Sequence, residues 1–292
     1  MNRLQKWLIT SCLFSGSVLS APLSISSWNI EWLSTNEAVN KMSVLRDEQD
    51  FDQLAHHFEQ LNSDIMAFQE VDDIDAIRRV VGPDYRIVMS DRASSRYKAN
   101  QFQGVNQYTG FVVRQNVEVI NKPDIKLETR SGSKLRFASY IVAEYQDKPV
   151  HLLSVHLKAG CSGAYKRNSN CDRLKQQAKL LNDWILEREE KQQAYAVLGD
   201  FNHNLSYRGD WLWSVLSDNN QAQLATRLTP AECKVRSNRN QNKTHQFRSL
   251  IDHIIVSDDL NTSSTKQYVF PSQDVLKYFL SDHCPISTRL TH

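Results

Sequence analysis

Short apolar runs recur along the chain, at residues 23–28, 65–68, 85–89, 110–113, 137–145, 150–157, 194–198 and 251–256. Several are apolar at nearly every position, as strands buried on both faces are. Two other segments repeat apolar residues at helical spacing: Phe51, Leu54, Phe58 and Leu61, and Leu174, Ala178, Leu181 and Ile185. Each is the stripe of a helix that lies on a core, and Asp172 is a good N-cap for the second. Strands with interspersed helices and short strand-to-strand links predict an α/β protein with two mixed β-sheets packed face to face and helices outside.

No Pro/Gly/Ser-rich linker, low-complexity run or repeat interrupts residues 21–292, so a single domain is expected there. Residues 1–20 read as an export signal: a basic start with Arg3 and Lys6, an apolar stretch over 7–19, and cleavage after Ser20. The stretch is shorter than the ~20 residues of a membrane span. Ile9-Thr10-Ser11-Cys12 loosely resembles a lipobox, but a cut there would leave almost no apolar core. The mature chain is therefore expected to be secreted or periplasmic, without membrane anchoring, and monomeric. The whole chain has 35 Lys+Arg against 33 Asp+Glu, and losing Arg3 and Lys6 leaves it formally neutral. Bulk charge thus excludes nothing about partners; only local clusters can speak.

Cys12 leaves with the signal, and Cys161, Cys171, Cys233 and Cys284 remain, an even number that permits disulfides in an exported chain. Cys161 and Cys171 bracket a polar loop and predict a staple. Cys233 and Cys284 pair by elimination, or Cys284 is simply a small buried side chain beside an apolar strand.

The candidate chemistry sits where the apolar runs end. These ends carry Ser27-Trp28-Asn29-Ile30-Glu31, Phe68-Gln69-Glu70, Ser154-Val155-His156, Gly199-Asp200-Phe201-Asn202, Ile251-Asp252 and Ser281-Asp282-His283. An α/β protein builds its site at strand ends. Alone, an acidic residue at a strand end is usually just solvated, and a lone histidine there is usually structural. Together, hard oxygen donors, amides and imidazoles suit metal-assisted attack on a phosphodiester, which needs a cation, an activated water and a charge stabiliser for the departing oxygen.

As a set, Trp-Asn, Gln-Glu, Gly-Asp-Phe-Asn and Ser-Asp-His in this order resemble the endonuclease/exonuclease/phosphatase superfamily, from about Ile25 to Leu290. The resemblance implies a four-layer α/β sandwich and a phosphodiesterase that uses Mg²⁺ or Mn²⁺, with Ca²⁺ a further candidate. It implies that Glu70 is the main metal ligand with Asn29 beside it, and that Asp282 joins the metal shell or its waters. Asp200 and Asn202 match the pair that orients water and phosphate. His283, held by Asp252, and His156 match the two phosphate-contacting histidines. Two positions depart from the pattern. Glu31 stands where AP endonucleases have the shorter Asp, and with one methylene more it either reaches the metal as a further ligand or points away; Gln107 is the nearest match to a Glu of the deoxyribonuclease branch, so a carboxylate is lost there.

Substrate is read from the loops. Residues 234–248 hold Lys234, Arg236, Arg239, Lys243 and Arg248 and no acid. The stapled loop and the helix start after it hold Lys158, Lys166, Arg167, Arg173 and Lys175 against Asp172. Such loops beside a phosphodiesterase site suit a polyanionic backbone, which predicts a nuclease acting on DNA. A sphingomyelinase would carry an apolar aromatic hairpin instead. A lipid or inositol-phosphate headgroup hydrolase remains the alternative, and an inactive binding member a third.

Overall fold

Ile65 and Ala67 face one side of their strand, and Met66 and Phe68 face the other. This period-two alternation builds the layers of the molecule. The structure, a computed structural model, describes residues 21–36, 45–237 and 239–292; the expected export signal lies outside them. In chain order the elements begin β1 (Leu23–Leu33), α1 (Glu48–Leu61), β2 (Ile65–Val71), α2 (Ile74–Val81), β3 (Tyr85–Met89), β4 (Tyr108–Arg114), β5 (Val119–Ile125), β6 (Ala138–Tyr145) and β7 (Lys148–His156). They continue α3 (Ser169–Glu190), β8 (Ala194–Asp200), α4 (Trp211–Leu216), β9 (Gln223–Leu224), β10 (Lys234–Ser237), β11 (Asn240–Gln246), β12 (Asp252–Val256), β13 (Asn261–Gln267), α5 (Ser272–Lys277) and β14 (Ile286–Thr291).

Two six-stranded sheets result, ordered β13-β14-β1-β2-β4-β3 and β5-β6-β7-β8-β12-β9, with β10 and β11 as a separate hairpin. Each sheet is mixed: β1 and β2 run parallel in one, β7 and β8 in the other. Ile25, Ala67 and Phe111 of the first sheet meet Ile141, Leu152, Leu198 and Ile254 of the second in a central core. The outer face of the first sheet buries against Phe51, Leu54 and Phe58 of α1 and Ile77 and Val80 of α2. The outer face of the second buries against Leu174, Ala178, Leu181 and Ile185 of α3. This is the expected four-layer α/β sandwich.

The parallel pair at the centre of the second sheet depends on a glycine. A Cβ at Gly199, whose φ is 151°, would stand 1.9 Å from the Val155 carbonyl oxygen, so no side chain fits. One expected cap differs. Asn168, not Asp172, caps α3, its Oδ1 accepting from the backbone N–H of Asn170 and Cys171 at 3.1 and 3.0 Å. The helix starts a turn earlier than the apolar stripe suggests, because the Cys161–Cys171 disulfide draws the stapled loop onto its first turn. Asp172 sits inside that turn, where a negative charge still suits the helix dipole. Cys233 and Cys284 are also bonded to each other. Among the described residues no helix is long and apolar enough to cross a membrane.

Candidate active site

The inward-facing parity of the second sheet continues past its apolar core into a row of polar side chains. His156 ends β7 opposite Asp200 at the end of β8, and Asp200 pairs in turn with Asp252 at the start of β12. From the first sheet, Asn29 of β1 pairs with Gln69 of β2. The two rows meet: Asn29 Nδ2 donates to Asp200 Oδ2 at 3.1 Å and to Glu70 Oε1 at 3.3 Å. Below this contact Ser27 donates to Gln69, which donates to Ser154 at 3.1 Å, so the polar floor is hydrogen-bonded throughout.

Bulges aim the remaining groups. Pairing of β1 with β2 shifts register between Asn29 and Leu33, and pairing of β2 with β4 shifts between Phe68 and Val71. Glu31 (φ 43°), Glu70 (φ 60°) and Asn202 (φ 53°) are all left-handed, a conformation that costs non-glycine residues of order 1–3 kcal/mol each. Bulges that re-aim side chains are common beside sites. Here Glu70 reaches Asn29 and the Trp32 N–H. Glu31, the longer carboxylate, turns inward and accepts from the Asp282 N–H at 2.9 Å. Asn202 donates from its backbone and its amide to Asp200, at 2.7 and 3.0 Å.

The two histidines differ in charge. His156 Nε2 lies 3.5 Å from both Glu70 and Asp200, while its buried Nδ1 has no protein partner. Burial, then the cations Arg136 and His283, hold its pKa well below the ordinary value, so it is neutral. His283 Nδ1 hydrogen-bonds Asp252 Oδ2 at 2.8 Å, and its Nε2 faces Asp200 at 3.8 Å. Burial alone would lower its pKa, but Asp252 and Asp200 hold it well above the ordinary value, so it is an imidazolium. Burial also raises Asp200 to about 7, against the nearby His283. Environments that push paired titrating groups apart mark acid and base positions.

Three groups that the sequence pattern does not flag support the site. Arg46 donates to the Ile30, Glu31, Phe279 and Leu280 carbonyls, tying the β1 bulge to the segment that carries Asp282 and His283. Burial lowers its pKa to about 10, against Glu31 and Asp50. Arg136 donates to the Leu157 carbonyl at 3.0 Å, directly behind His156. His203, one residue after Asn202, is fixed by Asp210 at 2.6 Å and the Cys161 carbonyl at 2.9 Å. Arg46 and Arg136 stand outside the polar clusters at strand ends, and Asn202-His203 reads as a turn, so spacing carried no signal for them.

Two groups of donors could take a divalent cation. Asp200, Asp252 and His283 bring ligand atoms within 4.8 Å of one another. His283 and Asp252 are bonded to each other, however, and Asp200 already accepts one hydrogen bond from Asn29 and two from Asn202, which leaves one lone pair of Oδ1 for a further partner. The better fit is the oxygen-rich mouth of Glu70, Glu31 and Asp282 with the second lone pair of Asn29 Oδ1, a hard donor set of the kind Mg²⁺ takes. Burial and the Asp282 charge raise Glu31 to about 7, so this mouth holds more negative charge than its surroundings balance.

Two cavities open over these groups. One of about 490 Å³ is lined by Asn202, Asp252, His283, Ser162 of the stapled loop, Phe247 and Arg248. The other, about 310 Å³, holds Glu31, Asp282, Phe247 and Arg236. Both basic loops thus wall the site. Arg239 and Lys243 are exposed on the hairpin, and Lys166 and Arg167 on the stapled loop. Arg236 differs from the expectation of a free strand contact. Its Nε and Nη2 donate to the Val275, Leu276 and Tyr278 carbonyls at the end of α5, where those carbonyls lack helix partners. Gln107 precedes β4, and its carbonyl accepts from Arg92.

Acids, amides and two imidazoles, one neutral and one charged, converging between two mixed sheets define a hydrolytic phosphoesterase. A profile of the Endonuclease/Exonuclease/phosphatase family matches residues 26–283, and the chain belongs to that family. No curated protein sequence matches it significantly. Among solved structures, an endonuclease/exonuclease/phosphatase of Bacteroides vulgatus is 15% identical, TM-score 0.65, covering 93% of this chain and 99% of that one. A mannosyl-6-phosphatase of Bacteroides thetaiotaomicron is 14% identical, TM-score 0.61, covering 92% and 100%. TDP2 of D. rerio, complexed with a single-strand DNA product, is 15% identical, TM-score 0.63, covering 94% and 100%. At such identities the likeness concerns the fold alone.

Proposed function

We propose that the chain is an exported, divalent-metal-dependent phosphodiesterase that hydrolyses the nucleic-acid backbone, DNA first. The observation that carries this reading is the pairing of an acidic mouth with a neutral His156 and a charged His283 around Asp200. Glu70, Glu31, Asp282 and Asn29 would hold Mg²⁺ or Mn²⁺. The ion supplies a Lewis acid at the phosphoryl oxygen and neutralises developing charge. Asp200, raised to about 7 and oriented by Asn29 and Asn202, takes the proton of the attacking water; a base is most effective when its pKa lies near the working pH. His283, held in one orientation by Asp252, places positive charge on a nonbridging oxygen, and the Nε2–H of His156 donates to a second, while the P–O bond to the departing oxygen breaks and that oxygen takes its proton from solvent water. Export is supported by residues 1–20 and by two disulfides, which persist in oxidising compartments.

The hairpin favours nucleic acid over lipid. β11 reads Asn-Gln-Asn-Lys-Thr-His-Gln and is mostly exposed, and it offers no apolar face to a bilayer. Arg239, Lys243, Arg248, Lys166 and Arg167 are the proposed backbone contacts. A second reading, a phosphatase of small sugar phosphates, draws on the likeness to the mannosyl-6-phosphatase and on the Ser162, Ser249 and Gln267 lining of the larger cavity. Purified protein incubated with plasmid DNA, RNA, bis-nitrophenyl phosphate and mannose 6-phosphate, each with Mg²⁺ or EDTA, separates them. Nicking of plasmid that EDTA abolishes is the expected result; release of phosphate from the sugar alone would refute the nuclease reading.

A further inference from the structure

We propose that the cavity between Arg130, Lys134, Arg173 and Phe102 is a second phosphate subsite, which holds a nucleic-acid strand beyond the catalytic groups. The inference rests on the phosphodiesterase reading above and extends it to an oligomeric substrate. The cavity is about 380 Å³, and among the described residues lining it there is no acid. The neighbouring Glu128 is already held by Arg130 Nη2 at 2.6 Å.

The cavity wall is built rather than loose. Arg92, fully buried, donates to the Asn100, Gln107 and Lys134 carbonyls at 2.8, 3.0 and 3.1 Å. Asn100 Nδ2 donates to the Ser133 carbonyl at 2.7 Å. A buried guanidinium thus fixes the 130–135 loop from behind before any ligand arrives. Arg92 also lies 5.5 Å from the Phe102 ring centroid and Lys134 5.9 Å, so the ring is held among cations and can take a base against it.

A line of positive charge joins this cavity to the catalytic groups. Arg136 bonds the carbonyl of Leu157, next to His156. Lys158 follows, its backbone N–H donating at 2.8 Å to Gln177, one turn along α3 from Arg173. Arg173 then lines the cavity. The acidic mouth of Glu31, Glu70 and Asp282 holds the other charge sign, so the site is polarised, and an anionic strand is drawn out toward Arg130 and Lys134. Guanidinium forks and ammonium groups at a concave wall recognise phosphate, and a sugar monophosphate has only the one phosphate that reacts.

Fluorescence anisotropy of a labelled twelve-residue oligothymidylate in EDTA tests the assignment, comparing the full chain with its Arg130→Ala/Lys134→Ala variant. The expected result is a Kd about 10–100-fold higher and a salt slope smaller by about 1.4, the value for two lost contacts to a single strand. Turnover of bis-nitrophenyl phosphate with Mg²⁺ stays within about two-fold, since that ester never reaches the wall. If the unaltered chain fails to bind the oligonucleotide, the nucleic-acid reading falls and the subsite with it. If it binds and the variant binds equally well, the subsite alone is overturned. Should small-ester turnover drop as well, charge reversal at exposed Lys134 (Lys134→Glu) decides: an unchanged Kd there also overturns the subsite.

Discussion

Replacing Arg46 by Met tests whether the catalytic loops are held by one buried cation. The guanidinium donates to four carbonyls on two segments, Ile30 and Glu31 on one side and Phe279 and Leu280 on the other. A hydrogen bond to a charged group contributes roughly 1.5–3 kcal/mol. Four such bonds do not add, because water reaches some of the released carbonyls and neighbouring terms couple. The loss of a buried, paired charge sets the scale at about 3–5 kcal/mol. With an m-value of about 2–3 kcal/mol/M in urea, the denaturation midpoint should fall by roughly 1–2 M. Well below that midpoint, turnover of bis-nitrophenyl phosphate should still drop by up to about 10²-fold, since Asp282 and His283 lose their fixed distance to Glu31. Arg46→Lys restores the charge but not the fork and should recover less than half of either loss. A midpoint that does not move, or complete rescue by Lys, would refute the clamp.

Asp252→Asn keeps the shape of the dyad but removes the charge that sustains the imidazolium at His283; turnover should fall by about 10²–10⁴-fold at temperatures where circular dichroism shows the chain folded, and the melting temperature should fall too, since a buried pair is broken. Glu70→Gln should shift the Mg²⁺ dependence of activity to higher concentration while circular dichroism stays the same; full activity at low Mg²⁺ would remove Glu70 from the ligand set. Gly199→Ala drives a methyl group into the Val155 carbonyl at 1.9 Å and should give insoluble or strongly destabilised protein. Burial lowers the pKa of His203, but the Asp210 hydrogen bond and the Cys161 carbonyl override it and leave it raised. Its stabilising contribution is therefore complete below about 6.5 and is lost as pH rises through the folded value. Asp210→Asn should cost more stability in urea titrations at pH 6 than at pH 8.5, and an equal cost at both would contradict a charged His203.

The layers were legible because their strands are apolar on both faces; the runs at 65–68, 150–157 and 194–198 could hardly be anything else. The polar strands β11 and β13, Asn-Gln-Asn-Lys-Thr-His-Gln and Asn-Thr-Ser-Ser-Thr-Lys-Gln, were not. They pair along one edge and are largely exposed, so neither alternation nor a buried run marks them. The short α2, α4 and α5 went unread for lack of a second helical repeat. Side chains at the strand ends were recognisable as chemistry, since Asp200, Asp252 and His156 continue the inward parity of their strands, and His283 sits in the loop just before β14. Their supports were not: Arg46 acts through carbonyls, which every residue has, and Arg236 lies in a basic run that reads as a strand contact until α5 takes its donors. Glu31 was open between facing the metal and facing away; the left-handed turn at φ 43° settles its direction, and no pattern of residue types encodes that turn.

The second disulfide gives the molecule a sense of timing. Cys284 directly follows His283, and its partner Cys233 opens the basic hairpin; both sulfurs are buried. A cross-link over 51 residues contributes about 4 kcal/mol on the chain-entropy model. Thiol buffers of a cytosol keep such pairs open, so a newly made chain holds its imidazolium and its hairpin by noncovalent contacts alone. The core between the two sheets contains neither sulfur and assembles either way, whereas both sulfurs pack in the layer between the first sheet and its outer helices. On the reading that the chain is exported, what oxidation adds is the union of hairpin and catalytic loop into one piece, after folding and at the moment the chain meets an oxidant.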